Sequence, residues 1–249
     1  MRPALLLAVL CSCTYGNESA PAGFSSGDGE FRVLRSSPEP GQVDVPGDIG
    51  VDVFFNVPPA AETVAGSDLR LFSGLIEAPG ALKVDLLDQR IHFSPLHPLR
   101  PALRYQVYLS RQIRGLNGAG LSRSAAFDFT TGGSDVGGQA EPVPPPPHAS
   151  DVQPSWTARC TSGCHSPPDP RAGLDLSTTE TALRDLLAVP SSSGDMLRVR
   201  PGDHARSYLM LKILDRGGTT GFSMPPNGPS LAPLELRRVA DWIDAGALP

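Results

Sequence analysis

Between positions 31 and 131 apolar and polar residues alternate along short runs. FRVLRSS, IGVDVFFNV, DLRLFSG, ALKVDLL, RIHFSP, RYQVYLS and AAFDFTT are rich in β-branched and aromatic residues, and clusters of Gly, Pro and Asp separate them; each predicts a strand. The alternation is cleanest where Tyr105, Val107 and Leu109 fall on one side and Arg104, Gln106 and Tyr108 on the other, the pattern of a half-buried antiparallel strand. Seven such runs in about a hundred residues predict a β-sandwich. Near the end of the chain the period changes. In LAPLELRRVADWIDAGA the apolar residues Leu236, Val239, Ala240 and Ile243 recur at helical spacing. Pro233 suits the first helical position, Glu235 complements the positive end of the dipole, and Gly246 stands where a left-handed cap ends a helix.

At 249 residues the chain exceeds the usual ~100–150 residues of one domain, which favours two. Residues 14–30 hold few apolar side chains and read as a disordered tether. Residues 133–150, with prolines at 144–147, read as an extended, semi-rigid linker. The expected organisation is therefore an export signal over 1–13, the tether, an all-β domain over 31–132, the linker, and a second domain over 151–249. The net charge of −5, with no basic stripe, argues against nucleic acid as a partner.

Export is read from MRPALLLAVLCSC, where Arg2 precedes an apolar run over 4–10 too short to span a bilayer. The ending Leu10-Cys11-Ser12-Cys13 resembles the lipobox of bacterial lipoproteins. It makes Cys13 the candidate lipidated residue, with Cys11 as runner-up, and implies a membrane partner through the lipid. Cys160 and Cys164 are the remaining thiols, and in an oxidising compartment so close a pair points to a disulfide or a covalent cofactor site.

The stretch Cys160-Thr161-Ser162-Gly163-Cys164-His165 supplies what covalent haem attachment needs, two sulfurs to add to vinyl groups and an imidazole to sit beneath the iron. The usual spacing is C-x-x-C-H. Here three residues intervene, and Gly163 is where a local bulge would absorb the extra length. Two alternatives stand beside haem. One is zinc held by Cys160, Cys164 and His165 with His148 or His204, although structural zinc sites rarely use adjacent Cys and His. The other is a Cys160–Cys164 disulfide stapling a haem-free interaction module. His92 and His97, in or beside one strand, carry no assigned function.

The order SSPEPGQVDVPGDIGVDVFFNVP, FSPLHPLRPALRYQVYLS, GLNGAGL and FDFTTG resembles the bacterial Ig-like domain of surface proteins, with an all-β Ig-like sandwich as the implied fold. Residues 151–249 resemble the cytochrome c-like domains of bacterial envelope proteins: the cysteine motif is followed by AGLDLS, then VRPGDHARSYLMLKI as a middle helix, then FSMPPNGPSL and the closing helix. The resemblance implies an all-α cytochrome c-like domain with one covalent haem c. It also implies that the methionine before the double proline, Met224, is the second axial iron ligand opposite His165, and that the closing helix packs on the helix around Trp156, making Trp156 and Trp242 contact or haem-edge residues. With both axial positions filled no coordination site is left for a substrate. The expected role is an electron carrier rather than an enzyme, in the periplasm or at the outer membrane, with the sandwich as spacer and redox proteins as partners.

Overall fold

The computed structural model describes residues 29–121, 124–133, 144–215, 219–226 and 228–249. The export signal, Cys11, Cys13, nearly all of the tether and most of the linker lie outside these residues.

The first domain is a sandwich of two antiparallel sheets. One has the order β1(Val33–Ser37)-β2(Val51–Phe55)-β6(Arg90–Pro95)-β5(Gly80–Asp85), the other β4(Ile76–Ala78)-β3(Leu69–Ser73)-β7(Arg104–Leu109)-β8(Ala125–Thr130). All seven expected strands are present. The eighth, β4, is a three-residue partner of β3. Alternation places Val51, Val53 and Phe55 of β2 and Tyr105, Val107 and Leu109 of β7 in the core. Each fully buried apolar side chain of this size contributes roughly 1.5–3 kcal/mol relative to exposure. Stacked rings reinforce it, Phe31 on Phe55 at 4.8 Å and Tyr105 on Phe129 at 5.8 Å between centroids.

The second domain is small and helical. Its described α-helices are α1(Ala149–Arg159), α2(Thr179–Leu186), α3(Tyr208–Ile213) and α4(Pro233–Asp244). α4 follows the expectation: Pro233 occupies the first turn, the Glu235 carboxylate accepts from the Ala232 N–H at 2.7 Å, and Gly246 has φ +98°. α1 and α4 pack together through Trp156 and Trp242, both buried, edge to face at 5.4 Å and 80°. The middle helix is much shorter than VRPGDHARSYLMLKI suggested. Pro201 and Gly202 break it, Asp203 caps a 3-10 turn over His204–Arg206, and regular α-helix begins only at Tyr208. α2 was not anticipated; the Thr178 hydroxyl accepts from the Thr181 N–H at 3.2 Å to start it, and Ala182 and Leu186 bury its inner face.

The entry and exit of this domain are joined. The Ala149 N–H donates to the Leu248 carbonyl at 2.9 Å, His148 Nδ1 lies 2.7 Å from the Pro249 oxygen, and the Trp242 indole donates to the Leu248 carbonyl at 2.8 Å.

The domains dock on each other. His204 is 1% exposed. Its Nε2 accepts from the Leu86 N–H of the β5–β6 turn at 3.2 Å, while Nδ1 faces the Asp244 carboxylate at 2.9 Å. Lys83 of β5 also reaches Asp244, at 2.8 Å. Arg237 of α4 donates to Asp85 at 3.0 Å and to Asp88 at 2.8 Å. Arg206 donates to the carbonyls of Ala61 at 2.6 Å and Val64 at 3.3 Å. Buried hydrophobic residues of the two domains form one cluster.

Candidate functional site

α1 delivers Cys160, whose N–H donates to the Trp156 carbonyl at 2.8 Å as the last helical bond. The chain then turns tightly, and the His165 N–H donates back to the Cys160 carbonyl at 3.1 Å. With two residues between the cysteines this closure would be an ordinary i→i−4 helical bond; with three it becomes i→i−5, and together with the Cys164 N–H donating to the Thr161 carbonyl at 3.4 Å it forms a Schellman closure. Gly163 takes up the extra residue at φ +71°, and a Cβ there would meet nothing within 4 Å. The turn is braced by Thr161 Oγ1, which donates to the Thr157 carbonyl at 2.8 Å, and by Ser166 Oγ, which donates to the Thr161 carbonyl at 2.7 Å. Cys160, Cys164 and His165 thus come from one compact turn, the cysteines half-buried and the histidine buried.

His165 is oriented by the loop that follows. Its Nδ1 lies 3.1 Å from the Leu174 carbonyl, and its own carbonyl accepts from the Leu176 N–H at 2.9 Å. The Arg198 guanidinium fixes this loop, donating to the carbonyls of Ala172 at 2.6 Å, Gly173 at 3.2 Å and Asp185 at 2.9 Å. Burial above all, helped by the charges of Arg198 and Arg171, holds the His165 pKa below its usual value, against the Leu174 and Arg171 carbonyls. A neutral imidazole whose Nδ1–H serves a carbonyl keeps its lone pair on Nε2, the arrangement of an iron-ligating histidine. Burial, then the neighbouring Cys164, pushes the Cys160 thiol up to about 11. No disulfide joins the described cysteines. Two thiols and a neutral imidazole on one turn fit the donor set of covalent haem.

Met224 lies on a separate segment, half-buried and packed against the core, and its N–H donates to the Lys212 carbonyl at 2.9 Å. The zinc alternative is not assembled. His148 serves the Pro249 oxygen, His204 the domain junction, and the described residues contain no group of three or more His, Cys, Asp or Glu side chains placed to hold a metal ion. His92 pairs with Asp52, its Nδ1 2.8 Å from a carboxylate oxygen that also meets Arg90 at 2.9 Å. Sequence reasoning missed Arg198, Tyr208 and Lys212. For Lys212 there was a signal: a single lysine inside the apolar run YLMLKI implies a buried charge with a task.

Residues 160–228 match the family model for planctomycete cytochrome C. That match starts at Cys160 and extends past Met224, so the turn and the methionine segment both fall inside it. Residues 28–131 match the family model of the bacterial Ig-like domain. No curated protein matches the chain. Among solved structures, the N-terminal part of the bacterial S-layer protein SbsC is 12% identical, with TM-score 0.34, over 41% of this chain and 24% of that one. The copper resistance protein PcoC from Escherichia coli is 14% identical, with TM-score 0.34, over 40% of this chain and 98% of that one. L,D-transpeptidase 1 of Mycobacterium tuberculosis is 20% identical, with TM-score 0.27, over 40% and 38%. The chain thus spans a quarter or less of the S-layer structures it matches. No helix among the described residues is long and apolar enough to cross a membrane.

Proposed function

We propose that the protein is an extracytoplasmic electron carrier, lipid-anchored through Cys13, in which Cys160 and Cys164 hold one haem c and His165 and Met224 are its axial ligands. The observation that carries this reading is the Cys160–His165 turn: despite the extra residue it closes on its own backbone and holds the imidazole with Nδ1 committed to the Leu174 carbonyl. Haem supplies one-electron redox chemistry at its iron, and methionine opposite histidine raises the reduction potential. The chain's part is to bind and orient. Each thiol adds its S–H across a vinyl C=C, so attachment loses no atoms. The Leu174 carbonyl fixes the imidazole tautomer. With His165 and Met224 both holding the iron, no coordination site would be left for a substrate, and the domain would pass electrons between partners.

The test is to produce the protein in a host with c-type maturation machinery and record a pyridine haemochrome spectrum with intact mass. A mass gain of one whole haem and a c-type spectrum are expected. A mass lower by two hydrogens with no Soret absorption would mean a Cys160–Cys164 disulfide, and the electron-transfer reading would give way to a haem-free interaction protein.

A further inference from the structure

α3 is short, yet two of its side chains, four residues apart and so on one face, reach the same stretch of chain. Lys212 is buried, and its ammonium donates to the Thr220 carbonyl at 2.9 Å and to the Phe222 carbonyl. The Tyr208 hydroxyl accepts from the Thr220 N–H at 3.2 Å and lies 3.1 Å from Thr220 Oγ1. Ser192 Oγ joins both hydroxyls at 3.3 Å. The backbone carbonyl of Lys212 then accepts from the Met224 N–H at 2.9 Å. Residues 219–224 form no helix or strand, so their polar backbone groups depend on these partners. A buried ammonium left without acceptors is costly, and the segment therefore cannot lift away without stranding Lys212.

We propose that Lys212, seconded by Tyr208, is the positioning residue that seats the Met224 thioether for the iron. The inference rests on the haem reading and deepens it. A methionine on an irregular segment is held in a productive geometry only if its supporting shell is locked. Here that shell is a single helical face, with Lys212 contributing both its side chain and its main-chain carbonyl. The roles are separable: Lys212→Met keeps the carbonyl and the length of the stem but removes the charged donors, and Tyr208→Phe removes only the hydroxyl.

The test compares wild-type holoprotein with Lys212→Met and Tyr208→Phe by two readouts. One is the weak red absorption band of methionine-ligated ferric haem, together with the reduction potential. The other is hydrogen exchange at the Met224 amide relative to amides of α1. In Lys212→Met the band should be lost and the potential should fall with covalent haem retained, and the Met224 amide should exchange about tenfold faster or more, the loss of charged hydrogen bonds, with α1 unchanged. Tyr208→Phe should shift both readouts less, in the same direction. A Lys212→Met protein with the band, the potential and the exchange rate of wild type overturns the proposal; so does uniform loosening of α1 and Met224 together, which would mark Lys212 as merely structural. Should Lys212→Met fail to fold, unchanged readouts in Tyr208→Phe overturn it instead. If the wild type carries no haem, the ligand role of Met224 falls with that reading, and the exchange comparison alone decides whether Lys212 holds the segment.

Discussion

The Arg237–Asp85 pair joins a helix of one domain to the end of a strand of the other, across 152 positions of sequence, and its strength can be bounded. The carboxylate is one-tenth exposed and the guanidinium one-third, with 3.0 Å between the charged atoms. At the effective dielectric of a protein surface the gross attraction is ~4 kcal/mol at 4 Å. Desolvation and side-chain ordering remove much of it; fully exposed pairs retain ~0.2–1 kcal/mol. A net coupling of about 1–2 kcal/mol is therefore expected for this half-buried pair. A double-mutant cycle of Asp85→Asn and Arg237→Gln, read by urea unfolding, measures it. Both tryptophans of the chain, Trp156 and Trp242, lie in the helical domain, so their emission, or Soret absorption when haem is bound, reports that domain alone. Asp85 lies in the sandwich. If the domains dock, Asp85→Asn lowers the midpoint of the helical domain's transition by about 0.3–2 M urea, at slopes near 1–3 kcal/mol per molar. A coupling below ~0.3 kcal/mol, within the scatter of independent sites, with an unmoved tryptophan midpoint would refute the docking argument.

Acid should weaken the same junction. Burial alone would raise the Asp244 carboxyl, but the hydrogen bond with His204 and the contact with Lys83 hold it below the usual range. A carboxyl depressed in the folded state contributes stability above its unfolded pKa of ~3.9 and loses it as pH falls through the lower folded value, so unfolding midpoints should drop below about pH 4; an Asp244→Asn variant with the same pH profile as wild type would sink this. With its thiol near 11, Cys160 in haem-free protein should alkylate at pH 8 about a hundredfold more slowly than an ordinary thiol of pKa ~8.5, measured by peptide mass spectrometry against a model peptide. Gly163→Ala meets no crowding but must hold φ +71°, costing about 1–2 kcal/mol of backbone strain; the haem-to-protein absorbance ratio after maturation should fall severalfold. Cys13→Ala should release the protein from the membrane fraction, tested by fractionation and lipid labelling.

What the sequence made legible was local. The strands announced themselves because alternation and turn residues are read within a few positions, as at Tyr105, Val107 and Leu109. β4 escaped because three residues, Ile76 to Ala78, cannot show a period, and it exists by pairing with β3. α2 escaped because its opening Thr-Glu-Thr carries no apolar period, whereas α4 carries one over three turns. The cysteine turn was legible as a motif, and Gly163 as the residue to absorb its extra length, since backbone permissiveness is intrinsic to glycine. The junction was not. His204, Asp244, Asp85 and Arg237 acquire partners only when two separately folded surfaces meet, and no spacing in one dimension encodes that meeting. Lys212 stands between these cases: an isolated lysine in an apolar run signals a buried charge, but which carbonyls receive it depends on the path of the chain over 219–224.

The stitched ends of the helical domain bear on how such a protein is put together. Because Ala149 and Leu248 share a backbone hydrogen bond and His148 meets Pro249, the chain enters and leaves this domain at nearly one point. A unit of that form can be spliced behind, ahead of, or into a surface loop of another protein without stretching either host or insert. What would not travel with it is the set of charges facing Lys83, Asp85 and Asp88: transplanted elsewhere, Arg237 and Asp244 would arrive without their counterparts. The helical domain is portable as a fold and bespoke as a surface, so swapping sandwiches among proteins of this architecture should preserve folding while leaving the two halves hinged rather than seated.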